Sequence, residues 1–371
     1  MTTEIIPIVM PKWGLTMTEG ILTAWNIEEG AEIDPGVEIA EIETPKITNV
    51  FEALVSGVVR RLIASKGETL PVGALIAVVA EKSVSDADID SYVTEFQANF
   101  VPKEEGGDVA AEPESIEIGD RSISYLSLGP DDGDVVFLIH GFGADMNGWM
   151  FNQPVLAKEH RTVALDLPGH GRSAKDVSTG DVAVFSHVVS GFISEKGFEK
   201  VHLVGHSLGG GAALEAAAQP SVVSVTLIAP VGFGKEINTE FMEGFISAKR
   251  RKALQLVLEQ LVADPALIGR EMMEDVLKFK RLDGVDAALR KIVSANFDGG
   301  SQSVDLRGTV SDLSIPVTVI WGAEDKIIPS AHSEGLPTRI EVQIIPNAGH
   351  IPQMEKSGAI NDLITATIGK A

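Results

Sequence analysis

The chain has 371 residues, 44% of them hydrophobic, and 53 acidic against 30 basic side chains give it a formal net charge of −23. That balance argues against nucleic acid and anionic membrane as partners. The absence of cysteine excludes disulfides, thiolate metal ligands and a cysteine nucleophile, and it fits a reducing compartment. The length accommodates two or three domains. Met1–Thr2–Thr3–Glu4 has neither the basic start nor the apolar stretch of a signal peptide, and no apolar run reaches the roughly 18 residues that span a bilayer. A soluble, cytoplasmic protein without a membrane partner is expected.

Residues 4–81 carry short β patterns punctuated by Gly and Pro. Ile5–Val9, Gly20–Asn26, Glu38–Ile42, Asn49–Leu54, Gly57–Ile63 and Leu75–Val79 read as strands. Gly20, Gly30, Gly36, Ile39 and Ala40 recur as Gly57, Gly67, Gly73, Ile76 and Ala77, a constant offset of 37 residues. Two such halves predict a small β-sandwich over residues 1–82. Residues 83–115 form an acidic segment. Within it Asp86–Phe100 spaces Ile89, Tyr92, Val93 and Phe96 at helical intervals, and Val101–Ser115 reads as a solvated linker.

From Ile116 to the end at 371 the pattern becomes strand–helix alternation. Asp134–Ile139, Thr162–Asp166, Val201–Gly205, Val223–Ala229, Val317–Trp321 and Glu341–Ile345 are apolar runs bounded by turns. They predict a mostly parallel, doubly wound α/β sheet buried on both faces. Val182–Lys196 and Leu208–Ala218 read as helices between them. Residues 232–300, including Glu240–Leu261 and Arg270–Lys280, interrupt the alternation as a helical cap over the strand C-termini.

The junction of the 37-residue repeat reads Glu43-Thr44-Pro45-Lys46-Ile47 between two strand patterns. Pro45 sets φ for a turn and places Lys46 at a hairpin tip. Met10-Pro11-Lys12-Trp13-Gly14, Met17-Thr18-Glu19-Gly20, the repeat and this tip together resemble the lipoyl domains of 2-oxo acid dehydrogenase complexes, over about residues 4–81. The resemblance implies lipoic acid in amide linkage on Lys46. Pro45 and Ile47 depart from the Asp and Ala usual beside that lysine. No methionines flank Lys46, as they would in a biotin carrier.

Val201–Gly205 runs into Gly205-His206-Ser207-Leu208-Gly209, a G-x-S-x-G turn between an apolar strand and a small-residue helix. That context presents Ser207 as a nucleophile. Asp325 follows the strand Val317–Trp321, and His350 follows the strand ending at Ile345, so acid and base come after the serine in chain order. Glu324 is the neighbouring alternative to Asp325. His140-Gly141-Phe142-Gly143 follows the strand Val135–Ile139, which nominates the backbone N–H groups of Phe142 and Leu208 as oxyanion donors. Asp166–Ser173 reads as a structural loop, and His140 as its loop's organiser. His206 is expected to border the pocket. His160, His187, His202 and His332 have no partner legible in the sequence. Eight histidines without H-E-x-x-H predict no metal site. Residues 116–371 resemble the α/β-hydrolase fold family.

The two halves together resemble the acyltransferase subunits of acetoin dehydrogenase complexes. The resemblance implies a dihydrolipoyllysine-residue acetyltransferase of acetoin catabolism, moving acetyl from S-acetyl-dihydrolipoyl-Lys46 to coenzyme A. It also implies a multi-enzyme complex with a thiamine-diphosphate acetoin-cleaving enzyme and a flavin-dependent dihydrolipoyl dehydrogenase. Lys249-Arg250-Arg251-Lys252 in the cap offers charge to an anionic nucleotide, or is a solvated helix face. Two rival functions stay open: hydrolysis that releases acetate, and a lipoyl carrier on a non-catalytic scaffold.

Overall fold

The computed structural model describes residues 5–11, 13, 17–44, 48–53, 55–100, 111–298 and 300–371. The chain forms two units: Met1–Ala110 with Gly269–Met272, and Ala111–Ile268 with Met273–Ala371.

The first unit holds two four-stranded sheets. One orders its strands Ile5–Val9, Leu75–Ala80, Gly57–Leu62, Glu32–Ile33; the other orders Thr48–Glu52, Glu38–Glu43, Glu19–Trp25, Thr69–Pro71. All pairings are antiparallel. Leu22, Ile39 and Ile42 from one sheet meet Ile8, Val59 and Ile76 from the other in a single core. The short strands at Glu32 and Thr69 escape sequence reading because neither is long enough to show a period.

Leu75–Ala80 is buried throughout, although a sandwich strand ordinarily exposes alternate residues. The helix Asp86–Asn99 is the reason. Ile76 and Val79 face the sandwich core, while Leu75, Val78 and Ala80 pack with Ile89, Tyr92, Val93 and Phe96 of the helix. Ser85 caps the helix through the Asp88 N–H at 3.2 Å, and Arg60 and Arg61 bind Asp86 and Asp90. The helix therefore extends the first unit beyond residue 82 and is not part of a solvated linker. Residues 101–110 of the expected linker lie outside the described residues.

The second unit is an eight-stranded sheet. Its order is Glu341–Ile345, Val317–Gly322, Val222–Ile228, Val201–His206, Val135–Ile139, Arg161–Leu165, Arg121–Leu128, Glu114–Ile118. The first six run parallel; Arg121–Leu128 pairs antiparallel with both Arg161–Leu165 and Glu114–Ile118. The last two in that order interleave Ser, Glu and Arg with Ile, so no apolar run marks them. The helix Val182–Lys196 starts at the Asp181 cap and stops at Gly197, whose φ is 65°. Its Phe192 is fully buried edge-on to Phe137 and Tyr125, with centroids 5.0 and 4.9 Å away.

The cap contains four helices: Thr239–Ser247, Arg251–Leu258, Arg270–Phe279 and Val285–Asn296. The expected continuous stretch Glu240–Leu261 is broken at Ala248–Arg250, where Ala248 and Arg250 are extended. The Lys280 ammonium donates to the carbonyls of Phe245 and Ala248 and so satisfies the free end of the first helix. No helix among the described residues is long and apolar enough to cross a membrane.

Phe192→Ala removes a ring in contact with both sheet and helix. It is expected to destabilise the second unit by about 3–5 kcal/mol, read from urea unfolding followed by tryptophan fluorescence.

Candidate active site

Ser207 sits between the strand Val201–His206 and the helix Leu208–Ala216 at φ 53°, ψ −116°. An L residue holds such a φ only under constraint. The constraint here is a web of backbone bonds. The Ser207 N–H donates to Ile228 O at 2.9 Å, and its carbonyl accepts from Gly210, Gly211 and Val231. Position 209 must be glycine, because a Cβ there would collide with the carbonyl oxygens of Ile139 and His140. The helix start can then press against the end of the neighbouring strand.

His350 lies in the loop after the strand Glu341–Ile345, buried to 3% exposure. Its Nδ1–H donates to Asp325 Oδ2 at 2.8 Å. The other carboxylate oxygen accepts the N–H groups of Ile327 and Ile328 at 2.8 and 3.0 Å, and Trp321 Nε1 donates to Oδ2 at 3.1 Å. Four donors thus hold Asp325 in one orientation. Glu324 turns away and accepts the Ala348 N–H at 3.0 Å. His206 Nε2–H donates to the His350 carbonyl at 2.8 Å, with ring centroids 4.8 Å apart, which ties the residue before the nucleophile to the base. Burial and the neighbouring His350 keep the His206 ring well below its ordinary pKa. Among the described residues Ser207 Oγ and the His350 ring share no hydrogen bond. Such bonds in free enzymes are commonly long and tighten with substrate.

Gly141 lies directly over the turn: a Cβ there would stand 2.9 Å from His206 Nδ1 and 3.0 Å from Ser207 Cβ. Phe142 follows it. Neither its N–H nor that of Leu208, at the first turn of its helix, donates to a backbone acceptor among the described residues. His140 organises this loop. It accepts the Leu167 N–H on Nε2 at 2.9 Å and donates from Nδ1 to Gly141 O, and burial pushes its pKa down to about 4. In Asp166–Ser173, Asp166 accepts from the Met146 and Arg172 N–H groups, and Ser173 binds Asp166 O. His170 is buried between Phe142 and Phe279. His202 and His332 find Ser224 and Glu236 as partners, which the sequence does not indicate.

Two residues of the site escape sequence reading. Trp321 looks like any strand aromatic. Glu355 lies five residues past His350 and is 4% exposed. Its two oxygens accept the N–H of Gly349 at 2.7 Å and of Ala263 at 2.8 Å. The His350 N–H also donates to Leu261 O at 2.7 Å. The loop carrying His350 is thus stitched to residues 261–263 of the cap. Burial pushes the Glu355 pKa up to about 7.

Lys46 lies outside the described residues, with Pro45 and Ile47. The flanking strands pair so that Glu43 faces Thr48, which leaves Lys46 within the four residues that connect them.

Residues 135–363 match the alpha/beta hydrolase family, and residues 6–79 match the family described as biotin-requiring enzymes. The chain is 46% identical over 372 residues to the dihydrolipoyllysine-residue acetyltransferase component of the acetoin cleaving system of Pseudomonas putida, covering 99% of both chains. It is 43% identical over 377 residues to the component of the same name from Cupriavidus necator, covering 100% of each. The chain belongs to this acetyltransferase family. A solved membrane phospholipase A is similar over 70% of this chain and 87% of its own, at 25% identity and a TM-score of 0.60. A meta-cleavage product hydrolase, at 22% identity and a TM-score of 0.63 over 70% and 98%, shares the fold of the acetyltransferase's second unit.

Glu355→Gln keeps one oxygen and leaves one of the two backbone N–H groups facing an amide. Its kcat is expected to fall about 10-fold or more, from an unsatisfied bond worth about 1–3 kcal/mol at the base's loop. Because the folded-state pKa is raised, the native state holds its proton longer than the unfolded chain does. Wild-type stability therefore declines as pH rises from about 4.5 to about 7. The glutamine variant should gain on wild type in urea unfolding across that window while staying less active.

Proposed function

We propose that this chain transfers acetyl from a dihydrolipoyl thioester to coenzyme A in the cytoplasm, as a component of a multi-enzyme acetoin-cleaving system. The observation that carries this reading is identity along both units to named acetyltransferase components, in a chain whose second unit holds His350 against Asp325 and carries Ser207 in a strained strand–helix turn. In the complex, a thiamine-diphosphate enzyme would load the acetyl group and a flavin-dependent dihydrolipoyl dehydrogenase would reoxidise the carrier.

Lys46 would hold lipoate. The short connection between two paired strands suits an accessible amide-linked arm, and the group supplies the thiol that bears acetyl. His350 Nε2 takes the Ser207 proton as Oγ attacks the thioester carbonyl. The Phe142 and Leu208 N–H groups hold the oxyanion, a contribution of about 3–4 kcal/mol for a donor of this kind. The C–S bond breaks, and His350 returns its proton to the departing thiolate, which leaves acetyl on Ser207. The coenzyme A thiol then gives its proton to His350 and attacks the acetyl carbon. Ser207 leaves with that proton, and the new thioester departs. Asp325 holds the imidazole tautomer and the transient imidazolium charge throughout.

Supplied with S-acetyl-dihydrolipoamide, the protein should form acetyl-CoA only when coenzyme A is present. Ser207→Ala should lower the rate by at least about 10³-fold. Acetate release indifferent to coenzyme A would instead make it a hydrolase. Intact-mass measurement of protein from a lipoate-replete host should show the lipoyl adduct, and Lys46→Ala should lose it.

A further inference from the structure

The end of the helix Thr239–Ser247 meets both the oxyanion loop and a positively charged cavity. Its Phe245 packs edge-on to Phe142 of the oxyanion loop, with centroids 5.8 Å apart. Ser247 and Ala248 join Lys249, Arg250 and Ala253 around a cavity of about 360 Å³. The contact with Phe142 and the cavity lining thus fall within a few residues of each other at the end of the same helix.

The charge gathered there is unusual for this chain. Lys249, Arg250, Arg251 and Lys252 are consecutive, in a protein of net charge −23. Among the described residues none of the four side chains makes an ion pair or hydrogen bond. Beneath the same turn lies Lys280, fixed to the carbonyls of Phe245 and Ala248 with its ammonium 5.2 Å from the Phe245 ring centre. Burial first, and then the nearby Lys249, push its pKa down to about 8. The carboxylate that faces Lys249 and Lys280, Asp286, is already held by Arg290 at 2.7 Å. Like charges brought together without partners repel one another, and a multiply charged anion relieves that repulsion.

We propose that this cap cavity binds the phosphate groups of coenzyme A. Lys249 and Arg250 line the site, and Arg251, Lys252 and Lys280 add to its field. The proposal rests on the acetyl-transfer reading, in which the acceptor carries phosphates at one end and its reacting thiol at the other. A flexible arm then links the phosphates held at the cavity to the thiol that reacts at Ser207.

The test uses the full-length lipoylated protein and the double variant Lys249→Glu/Arg250→Glu. Lys158→Glu, at an exposed lysine just after the helix Gln153–Leu156, serves as the charge control. The KM for coenzyme A should rise about 10-fold or more in the double variant, with a smaller change in kcat. The KM for S-acetyl-dihydrolipoamide should stay unchanged, and so should the KM for pantetheine, which has the thiol but no phosphates. Equilibrium titration with coenzyme A should show the same loss of affinity, and wild-type affinity should fall with salt. An unchanged KM and affinity for coenzyme A in the double variant would overturn the site. So would an equal rise with pantetheine, or wild-type protein that takes up no coenzyme A. The titration does not depend on turnover. Binding lost with the two charges but without acetyl-CoA formation would therefore sink the transfer reading and leave the site standing.

Discussion

The conformation of Ser207 is the constraint on which the second unit turns. A positive φ at a non-glycine residue costs on the order of 1–3 kcal/mol and persists only where neighbours overdetermine it. Here the neighbours are the ends of two parallel strands. Ile228 accepts the Ser207 N–H, the Ile139–His140 backbone leaves room only for a hydrogen at position 209, and Gly141 rests on the Ser207 Cβ. The strain is balanced by the packing of the sheet around the turn that presents Ser207.

The base is held by a different logic. His350 lies on a loop, and loops rely on specific polar contacts in place of ladders. Its ring is fixed by Asp325, whose four donors leave no alternative orientation. Its backbone is fixed through Leu261 and through Glu355, which bridges Gly349 and Ala263. A position 349 side chain is excluded because its Cβ would come within 2.6 Å of Leu261 O. The cap is thereby tied to the loop that carries His350.

Electrostatics divides the same molecule. Acidic residues dominate the chain as a whole and keep polyanions away from most of its surface. The reversal at Lys249–Lys252 is local and follows directly on the helix whose Phe245 meets Phe142. An acceptor with phosphates would be drawn to one place and repelled elsewhere, which gives orientation as well as affinity.

The features the sequence determined are those written in short stretches of chain. The strand–turn–helix around Ser207 follows from an apolar run meeting G-x-S-x-G. Most strands of both units follow from short β patterns punctuated by Gly and Pro or from their apolar runs. The helix at 86–99 follows from the spacing of Ile89, Tyr92, Val93 and Phe96. The two antiparallel strands at 114–128 were hidden because they interleave Ser, Glu and Arg with Ile and show no apolar run. Only the tertiary structure decided that Asp325 and not Glu324 faces His350, since that choice depends on which carboxylate the Ile327 and Ile328 N–H groups capture. It also decided that the helix 86–99 covers a sheet, and that Glu355 reaches Ala263, 92 residues away. Periodicity and motifs report what neighbours along the chain require, whereas the partners of a buried carboxylate are set by which distant backbone groups the fold leaves unpaired.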